Sequence, residues 1–305
     1  MRATAGTCEA VEPASVTEAK EAIPAASVII VRPGQTAPFE VLLMERAAAS
    51  RNFAGALVFP GGKVEPGDAA LAGQAGFADY WQSHHAQLGD CVASIEQMAG
   101  LLGAALRETL EEVGICWGEG VPALPAQWLD AVRCRLLAGA PWQAIEEVGA
   151  QRLCAAALRP FSRWITPRLP NMSAKRFDTW FFIARLPQGQ TARADGAEAQ
   201  RILWGSPRTL LQRYARGEIL LAPPQVMTLA HLGRFASLCA LTESLRSHIP
   251  YCVAPVSVDG PQGRMVCFPG DVLHAQTQPV MPGPTRLVAQ DGRFLPEGVL
   301  ARLWN

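Results

Sequence analysis

One short charged run constrains this chain more than any other: Arg107 to Ile115 reads Arg-Glu-Thr-Leu-Glu-Glu-Val-Gly-Ile. Glu108, Glu111 and Glu112 are spaced i, i+3 and i+4, so a helix would carry all three carboxylates on one face. Gly114 stands where helices commonly end in a left-handed residue. Upstream, apolar residues recur at helical spacing: Met98, Leu102, Ala105, Leu106, Leu110 and Val113. The run therefore predicts a helix with an acidic face.

Two interpretations of that acidic face stay open on the acids alone. Like charges at this spacing weaken an isolated helix by about 0.2–0.5 kcal/mol per pair. Arg107 offsets part of this repulsion through its i+4 relation to Glu111. The remaining negative charge would suit a hard divalent ion, which prefers carboxylate oxygen. The plainer alternative is a solvated, glutamate-rich helix surface.

The composition describes a globular protein without a charge bias. A length of 305 residues is enough for one large or two ordinary domains. The chain has 27 Lys and Arg against 27 Asp and Glu, and 49% of its residues are hydrophobic. Zero net charge argues against a broad nucleic-acid footprint. No apolar run approaches the roughly 18 residues of a membrane helix. The eight cysteines are scattered and no secretory signal is recognisable, so we expect a reducing, cytoplasmic environment.

The order of apolar segments predicts a chain that mixes strands and helices. Residues 1–24 have no apolar period and are expected to form a disordered tail. Ala26–Arg32 and Phe39–Glu45 predict a hairpin, and Arg176–Leu186, apolar on both faces, predicts a central strand. Further strands are expected at Leu158–Thr166, Arg201–Trp204, Tyr251–Val258, Met265–Phe268 and Thr285–Gln290. Further helices are expected at Pro125–Ala138, at Trp142–Gly149, from the cap Ser206 to about Arg216, and from Gln225 to about Arg246 with a break near Gly233.

A glycine turn precedes the acidic run, and two arginines precede the turn. Phe59 closes a short apolar strand, and Pro60-Gly61-Gly62 predicts a sharp turn whose backbone can approach a ligand or direct a carbonyl at a metal. Arg46 and Arg51 bring guanidinium groups, which bind phosphate bidentately and stay charged. Beside a carboxylate cluster they suggest a phosphorylated substrate; the alternative is two surface arginines beside a plain turn.

The interval between the turn and the acidic run is long and carries a histidine pair. It spans 69–106, and a long insertion beside a site often forms a lid or a substrate wall. His84 and His85 could suggest a metal site. Because no second cluster follows at ligand spacing, an exposed helix end or loop is the favoured interpretation.

The turn and the acidic run together resemble the Nudix box, the signature of the Nudix hydrolases. Gly62, five residues, an acid, an interval and then Arg107–Ile115 follow its order, and the second half matches position for position. Asp68 stands where the family usually has Glu, and 38 residues fill an interval that is normally about seven. A box interrupted in this way is similar to that of the type 19 group of mammalian Nudix acyl-coenzyme A diphosphatases. The segments Trp164–Pro167 and Arg176–Thr179 also resemble segments of that group. The resemblance implies an α+β fold, an α/β/α sandwich around a mixed central sheet.

The segment before the turn resembles a second motif, that of the Nudix coenzyme A pyrophosphatases. The residues that carry it are Leu42, Leu43, Arg46, Ala47, Arg51, Gly55 and Phe59 to Gly62. Met44 departs from the usual Thr. The resemblance spans a Nudix domain at 25–220, with the insertion inside 69–106, and leaves 221–305 as a C-terminal extension of helices and then short strands, packed on that domain.

The resemblance also implies roles for single residues. Glu108, Glu111 and Glu112 would hold Mg²⁺ or Mn²⁺ together with the Gly61 carbonyl. Arg107 would orient a catalytic glutamate, and Asp68 would support the box from outside. Arg46, Arg51 and the Gly62 backbone would contact the substrate. Family members often add an acid from a late loop, for which Glu198 is the candidate with Asp195 behind it.

The expected reaction is metal-dependent cleavage of the diphosphate of coenzyme A or acyl-coenzyme A to adenosine 3′,5′-bisphosphate and (acyl-)4′-phosphopantetheine. The general base is Glu111 or Glu112, which the residues alone do not separate. Two alternatives remain: the same chemistry on ADP-ribose, NADH or a nucleoside triphosphate, and a Nudix module that binds a nucleotide without cleaving it. A small molecule is the expected partner, with no nucleic acid, no membrane and a possible homodimer.

Overall fold

A computed structural model describes residues 21–47, 55–73, 77–88, 94–118, 124–141, 153–167, 175–260 and 263–304. Its main sheet is built from strands β1 to β8 in the order β3-β2-β1-β6-β5-β8, with β4 also paired to β1 and β7 to β2. Their bounds are β1 Ile23–Pro33, β2 Phe39–Arg46, β3 Leu57–Val58, β4 Gly61–Lys63, β5 Arg159–Ile165, β6 Phe177–Arg185, β7 Ala199–Gly205 and β8 Tyr251–Val253. The β1–β6 and β5–β8 pairs are parallel and the others antiparallel, so the sheet is mixed, as expected.

The predicted hairpin and central strand are confirmed. β1 and β2 pair antiparallel through Val31 and Val41, and β6 lies between β1 and β5. The predicted tail is wrong at its end, because Ile23 and Pro24 already pair with Phe177 and Asp178 of β6. Residues 1–20 of that tail lie outside the described residues, as does the helix predicted at Trp142–Gly149.

Helices cover both faces of the main sheet, which confirms the α/β/α arrangement. Alternate residues of β1 point to opposite faces, so Val28 and Ile30 belong to one core and Ile29 and Val31 to the other. The first core is covered by α1 Phe77–Leu88, α2 Ile95–Val113 and α3 Ala126–Leu137. The second is covered by α4 Pro207–Ala215, α5 Pro223–Leu232 and α6 Leu238–Ser244. The break expected near Gly233 is confirmed, because α5 ends at Leu232.

The acidic run forms the last two turns of α2, and this helix begins inside the long interval. Ser94 caps it by accepting the amide of Gln97, and Gly114 ends it in the left-handed region at φ 71°. A 3-10 helix, Asp68–Gly73, begins one residue before the interval, and α1 follows it within the interval. A Cβ at Gly103 of α2 would lie 2.2 Å from the Asp68 carbonyl oxygen. Glycine there lets the start of the interval lie directly against the acidic helix.

The C-terminal segment contributes to both sheets. Strands β9 Val256–Gly260, β10 Gly263–Cys267, β11 Arg286–Gln290 and β12 Arg293–Pro296 form a second, antiparallel sheet, and a 3-10 helix follows at Leu300–Leu303. The single strand predicted at Tyr251–Val258 is therefore wrong, since β8 joins the main sheet and β9 joins the second. Pro255 lies between them and has no N–H to continue a ladder. Val226, Phe268 and Leu287 share the second core with the main sheet.

No helix within the described ranges is both long enough and apolar enough to span a bilayer.

Candidate active site

The acidic end of α2 lies against β4, and two glycines make this approach possible. Gly61 and Gly62 pair with Ser27 and Ala26 of β1. The sharp turn predicted over Pro60-Gly61-Gly62 is therefore wrong in part, because the bend falls at Pro60 and the glycines open a strand. Gly61 has φ 147°, and a Cβ there would lie 2.1 Å from the Ala26 carbonyl oxygen. A larger residue would therefore push β4 away from β1 and from the helix.

Glu112 is the most buried of the three glutamates, at 2% exposure. Its carboxylate accepts the Gly61 amide at 2.7 Å, so the helix and β4 are joined at this point. Burial, and then the charge of Glu108, hold the pKa of Glu112 well above its usual range. A cation beside Glu112 would offset this cost.

Glu108 and Glu111 flank Glu112 and differ in exposure. Glu108 accepts the Arg107 guanidinium at 2.9 Å, and burial raises its pKa to about 7 despite that contact. A Cβ at Gly62 would lie 2.2 Å from the Glu108 carboxylate, so glycine leaves room for it. Glu111 keeps 30% of its side chain exposed and lies 3.6 Å from Arg107, which is the predicted i+4 pair. Burial also raises the pKa of Glu111.

Arg107 connects the acidic helix to the start of the interval. Its Nε and Nη2 donate to the two carboxylate oxygens of Asp68 at 2.9 and 3.1 Å, and Nη2 also donates to the Lys63 carbonyl at 3.0 Å. Asp68 is fully buried and accepts the Glu65 amide. The shorter aspartate reaches Arg107 because Gly103 lets its backbone lie against α2. Asp68 therefore contacts the box arginine rather than the three glutamates.

Glu198 and Arg46 lie close enough to the glutamates for their charges to act on them. The negative charge of Glu198 contributes to the raised pKa of each of the three glutamates. Arg46 pairs with Ala199 across β2 and β7, and its charge lowers the pKa of Glu112. The Arg46 Nε is buried and has no hydrogen-bond partner in the part of the chain that is described. Arg51, the second predicted phosphate ligand, lies outside the described residues.

The predicted metal ligands Glu108, Glu111 and Glu112 lie on one helix, but they do not form a ready cage, and the metal site stays a prediction. Within the described ranges, no group of three or more His, Cys, Asp or Glu side chains stands ready to hold a metal ion. Arg107 donates a hydrogen bond to the Glu108 carboxylate, and the Gly61 amide donates one to the Glu112 carboxylate. One oxygen of each carboxylate is therefore occupied by a donor of the protein. The donor chemistry fits Mg²⁺ or Mn²⁺, since both prefer carboxylate oxygen and a cation would relieve the crowded, desolvated charges.

The histidine pair lies near the end of a helix. His84 stacks on Tyr80 at 4.4 Å and contacts Arg159, while His85 is exposed and stacks on Trp81. His85 belongs to the last turn of α1, whereas His84 precedes that turn and is partly buried, so only His85 matches the exposed helix end that was favoured.

One buried residue beside the site was missed by sequence reasoning. Arg133 on α3 donates to the carbonyls of Glu111 and Glu112 at the end of the acidic helix. No motif marks it. The available signal was its place on the apolar face of α3, where it follows Leu129 at i+4 and precedes Leu136 at i+3.

Known proteins share sequence features and the fold of this chain. A family model described as the NUDT19 Nudix domain matches residues 16–232. The chain is similar to acyl-coenzyme A diphosphatase NUDT19 of Xenopus laevis, with 26% identity over 79% of this chain and 73% of that protein. The same-named protein of Gallus gallus is 29% identical over 83% of this chain and 79% of that protein. A solved NUDIX hydrolase from Alicyclobacillus acidocaldarius covers 75% of this chain and 97% of its own, with a TM-score of 0.55 and 24% identity, and shows the fold.

Proposed function

Since this chain belongs to the NUDT19 Nudix family and is a Nudix hydrolase that acts on a diphosphate, we propose that its substrate is coenzyme A or an acyl derivative of it. One observation carries the proposal. Three glutamates whose pKa values are raised by burial lie near Arg46, whose Nε is buried and has no hydrogen-bond partner among the described residues. The relatives named acyl-coenzyme A diphosphatase support the choice of substrate. The products would be adenosine 3′,5′-bisphosphate and (acyl-)4′-phosphopantetheine.

Glu108, Glu111 and Glu112, with the Gly61 carbonyl, would hold Mg²⁺ or Mn²⁺. Such an ion neutralises the diphosphate and lowers the pKa of bound water. The chain itself prepares these ligands, because Arg107 fixes the rotamer of Glu108 and β4 fixes Glu112. Their pKa values are raised mainly by burial, with smaller contributions from neighbouring carboxylates, and a bound cation would offset both effects.

Glu111 is the better candidate for the base that accepts the water's proton. A general base must reach water directly, and Glu111 is the most exposed of the three side chains. Glu112 is buried and already accepts the Gly61 amide. The exposed Glu198, whose charge acts on all three glutamates, would supply a further oxygen.

Arg46 would bind a phosphate of the substrate. Its Nε is a buried donor without a hydrogen-bond partner among the described residues, and a phosphate oxygen would satisfy it. Arg51 and the Gly62 backbone remain proposed contacts of the same substrate.

A screen of diphosphates with Mg²⁺ or Mn²⁺ by mass spectrometry tests the proposal. We expect coenzyme A or an acyl derivative to be cleaved at the diphosphate. Cleavage of ADP-ribose or NADH with none of any coenzyme A derivative would contradict the substrate assignment while leaving the class of reaction. No cleavage of any diphosphate would favour a binding module.

Arg46→Ala separates the two substrate classes. If Arg46 binds the extra 3′-phosphate, kcat/KM should fall by about tenfold or more on coenzyme A, the loss expected for one charged hydrogen bond, and by less on dephospho-coenzyme A. An equal fall on both would place Arg46 at the shared diphosphate instead. Lys63→Ala, on the exposed end of β4, is the control for a general loss of positive charge.

A further inference from the structure

Arg133 joins two parts of the site that are far apart in sequence. The residue is 9% exposed, and its guanidinium bonds three backbone carbonyls. Nε donates to the Glu111 carbonyl at 3.1 Å, and Nη2 donates to the carbonyls of Glu112 at 3.0 Å and Arg193 at 2.7 Å. One side chain therefore contacts both the end of the acidic helix and the loop that leads to Glu198.

The same loop also docks on the helix through its backbone. The Arg193 amide donates to the Val113 carbonyl at 2.9 Å, and the Asp195 amide donates to the Glu112 carbonyl at 3.1 Å. The last carbonyls of a helix have no partner inside it. Here the loop and Arg133 supply those partners, so the helix end and the loop form one hydrogen-bonded unit.

Asp195 connects this hydrogen-bonded unit to the backbone of Glu198. Its carboxylate accepts the amides of Glu198 at 3.0 Å and Ala199 at 2.7 Å. The Glu198 carbonyl in turn accepts the Ala47 amide at 3.0 Å. The backbone of Glu198 is thus held by the loop on one side and by the chain beyond β2 on the other.

We propose that Arg133 and Asp195 are positioning residues that set where Glu198, the loop acid already assigned to the proposed reaction, stands relative to the glutamates of α2. This inference rests on the proposed diphosphatase function. Glu198 acts from a loop, and a shift of about 1 Å in a reacting group can cost about 10²-fold in rate. The simpler alternative is that Arg133 only caps a helix, and that alternative predicts no special relation to Glu198.

A double-mutant cycle separates the two alternatives. We would measure kcat and KM with coenzyme A and Mg²⁺ for Arg133→Met, Asp195→Ala and Glu198→Gln, and for each of the first two combined with Glu198→Gln. Each single change should lower kcat about 10- to 100-fold with KM nearly unchanged. In the Glu198→Gln background the other two should add little further loss.

The controls keep a folding defect apart from a positioning defect. Asp130→Ala removes an exposed ion pair between the same helix and the same loop, and should leave kcat at the parent value. Thermal midpoints are measured for every variant. If Arg133→Met does not fold, Asp195→Ala and its combination with Glu198→Gln still complete one cycle.

Two results would overturn the inference while the proposed function stands: a Glu198→Gln variant as active as the parent, or losses that multiply fully in the double variants. A parent protein that cleaves no diphosphate at all would instead overturn the proposed function and this inference with it.

Discussion

Gly62 allows a specific test, because the absence of a side chain lets the Glu108 carboxylate lie against β4. In Gly62→Ala the new Cβ would lie 2.2 Å from the Glu108 carboxylate, which must then move. We expect kcat with coenzyme A to fall at least about tenfold, because a displaced ligand misplaces the reacting groups. Steady-state kinetics of the purified variant measure this.

Gly73→Ala is the matched control, since a Cβ there meets nothing within 4 Å. It should keep parental kinetics. A Gly62→Ala enzyme with unchanged kcat would show that the position of Glu108 does not matter to the reaction.

At the level of residues, the sequence predicted the placement of the three glutamates better than it predicted the residues that contact them. Glu108, Glu111 and Glu112 share a helix face because helical spacing dictates it. The contact of Arg107 with Asp68 bridges 39 positions and depends on Gly103, which no local pattern reveals. Arg133 was missed for the same reason, since its partners are backbone carbonyls and carry no side-chain signature.

At the level of elements, the end of α2 determines how the helix meets its neighbours. Gly114 has φ 71°, and a Cβ there would lie 3.1 Å from the Arg133 guanidinium. Gly114→Ala should therefore lower the free energy of unfolding by about 1–2 kcal/mol for the left-handed backbone, and by more for the displaced arginine. Urea unfolding followed by circular dichroism measures the loss.

Gly139→Ala, just after α3, isolates the backbone part of that loss. Gly139 has φ 82° but a Cβ there meets nothing within 4 Å. The Gly139 variant should lose only the backbone contribution. Equal losses in the two variants would indicate that Arg133 adapts without cost.

The strand prediction failed where pairing depends on distant segments. Tyr251–Val258 looks continuous in sequence, yet β8 pairs with β5 and β9 with β10. The strand β12 was not predicted, and β4 was taken for a turn because its glycines favour turns when only the local sequence is considered. Predictions succeeded for longer, strongly apolar runs such as β1 and β6, where burial alone decides the conformation.

At the level of the whole molecule, a partly buried histidine lies where α5 meets β5 and β8. His231 contacts the Tyr251 hydroxyl at 3.1 Å, and His248, close by, contacts the Phe161 carbonyl at 2.7 Å. Burial, and then the charges of His248 and Arg234, lower the pKa of His231 to about 4. The C-terminal extension is therefore attached to the sheet through a histidine that is neutral in the folded protein.

This histidine makes stability depend on pH with a defined sign. Its pKa is lower in the folded state, so the unfolded state takes up the proton first as pH falls below about 6.5. The contribution of neutral His231 to the free energy of unfolding is complete above pH 6.5. It is lost between pH 6.5 and pH 4, and its upper limit is about 3 kcal/mol. Urea unfolding at several pH values, for the parent and His231→Phe, measures it.

Comparing the two proteins removes the contribution of the glutamates, whose raised pKa values act in the opposite direction. The parent should lose more stability than His231→Phe as pH falls. His85→Gln, at an exposed position on α1, should behave as the parent does. Parallel curves for the parent and His231→Phe would contradict a His231 that is neutral in the folded protein.

The most direct measurement of the proposed function is the kcat for coenzyme A, with Mg²⁺, of the parent and Glu112→Gln side by side. Glu112 is buried and accepts the Gly61 amide, and the charges of Glu108 and Arg46 both act on it. Removing its charge should lower kcat by about 10²-fold or more, with a thermal midpoint no lower than that of the parent, since a buried charge is relieved. A Glu112→Gln protein that cleaves coenzyme A as fast as the parent would contradict the assignment of this cluster as the diphosphatase site.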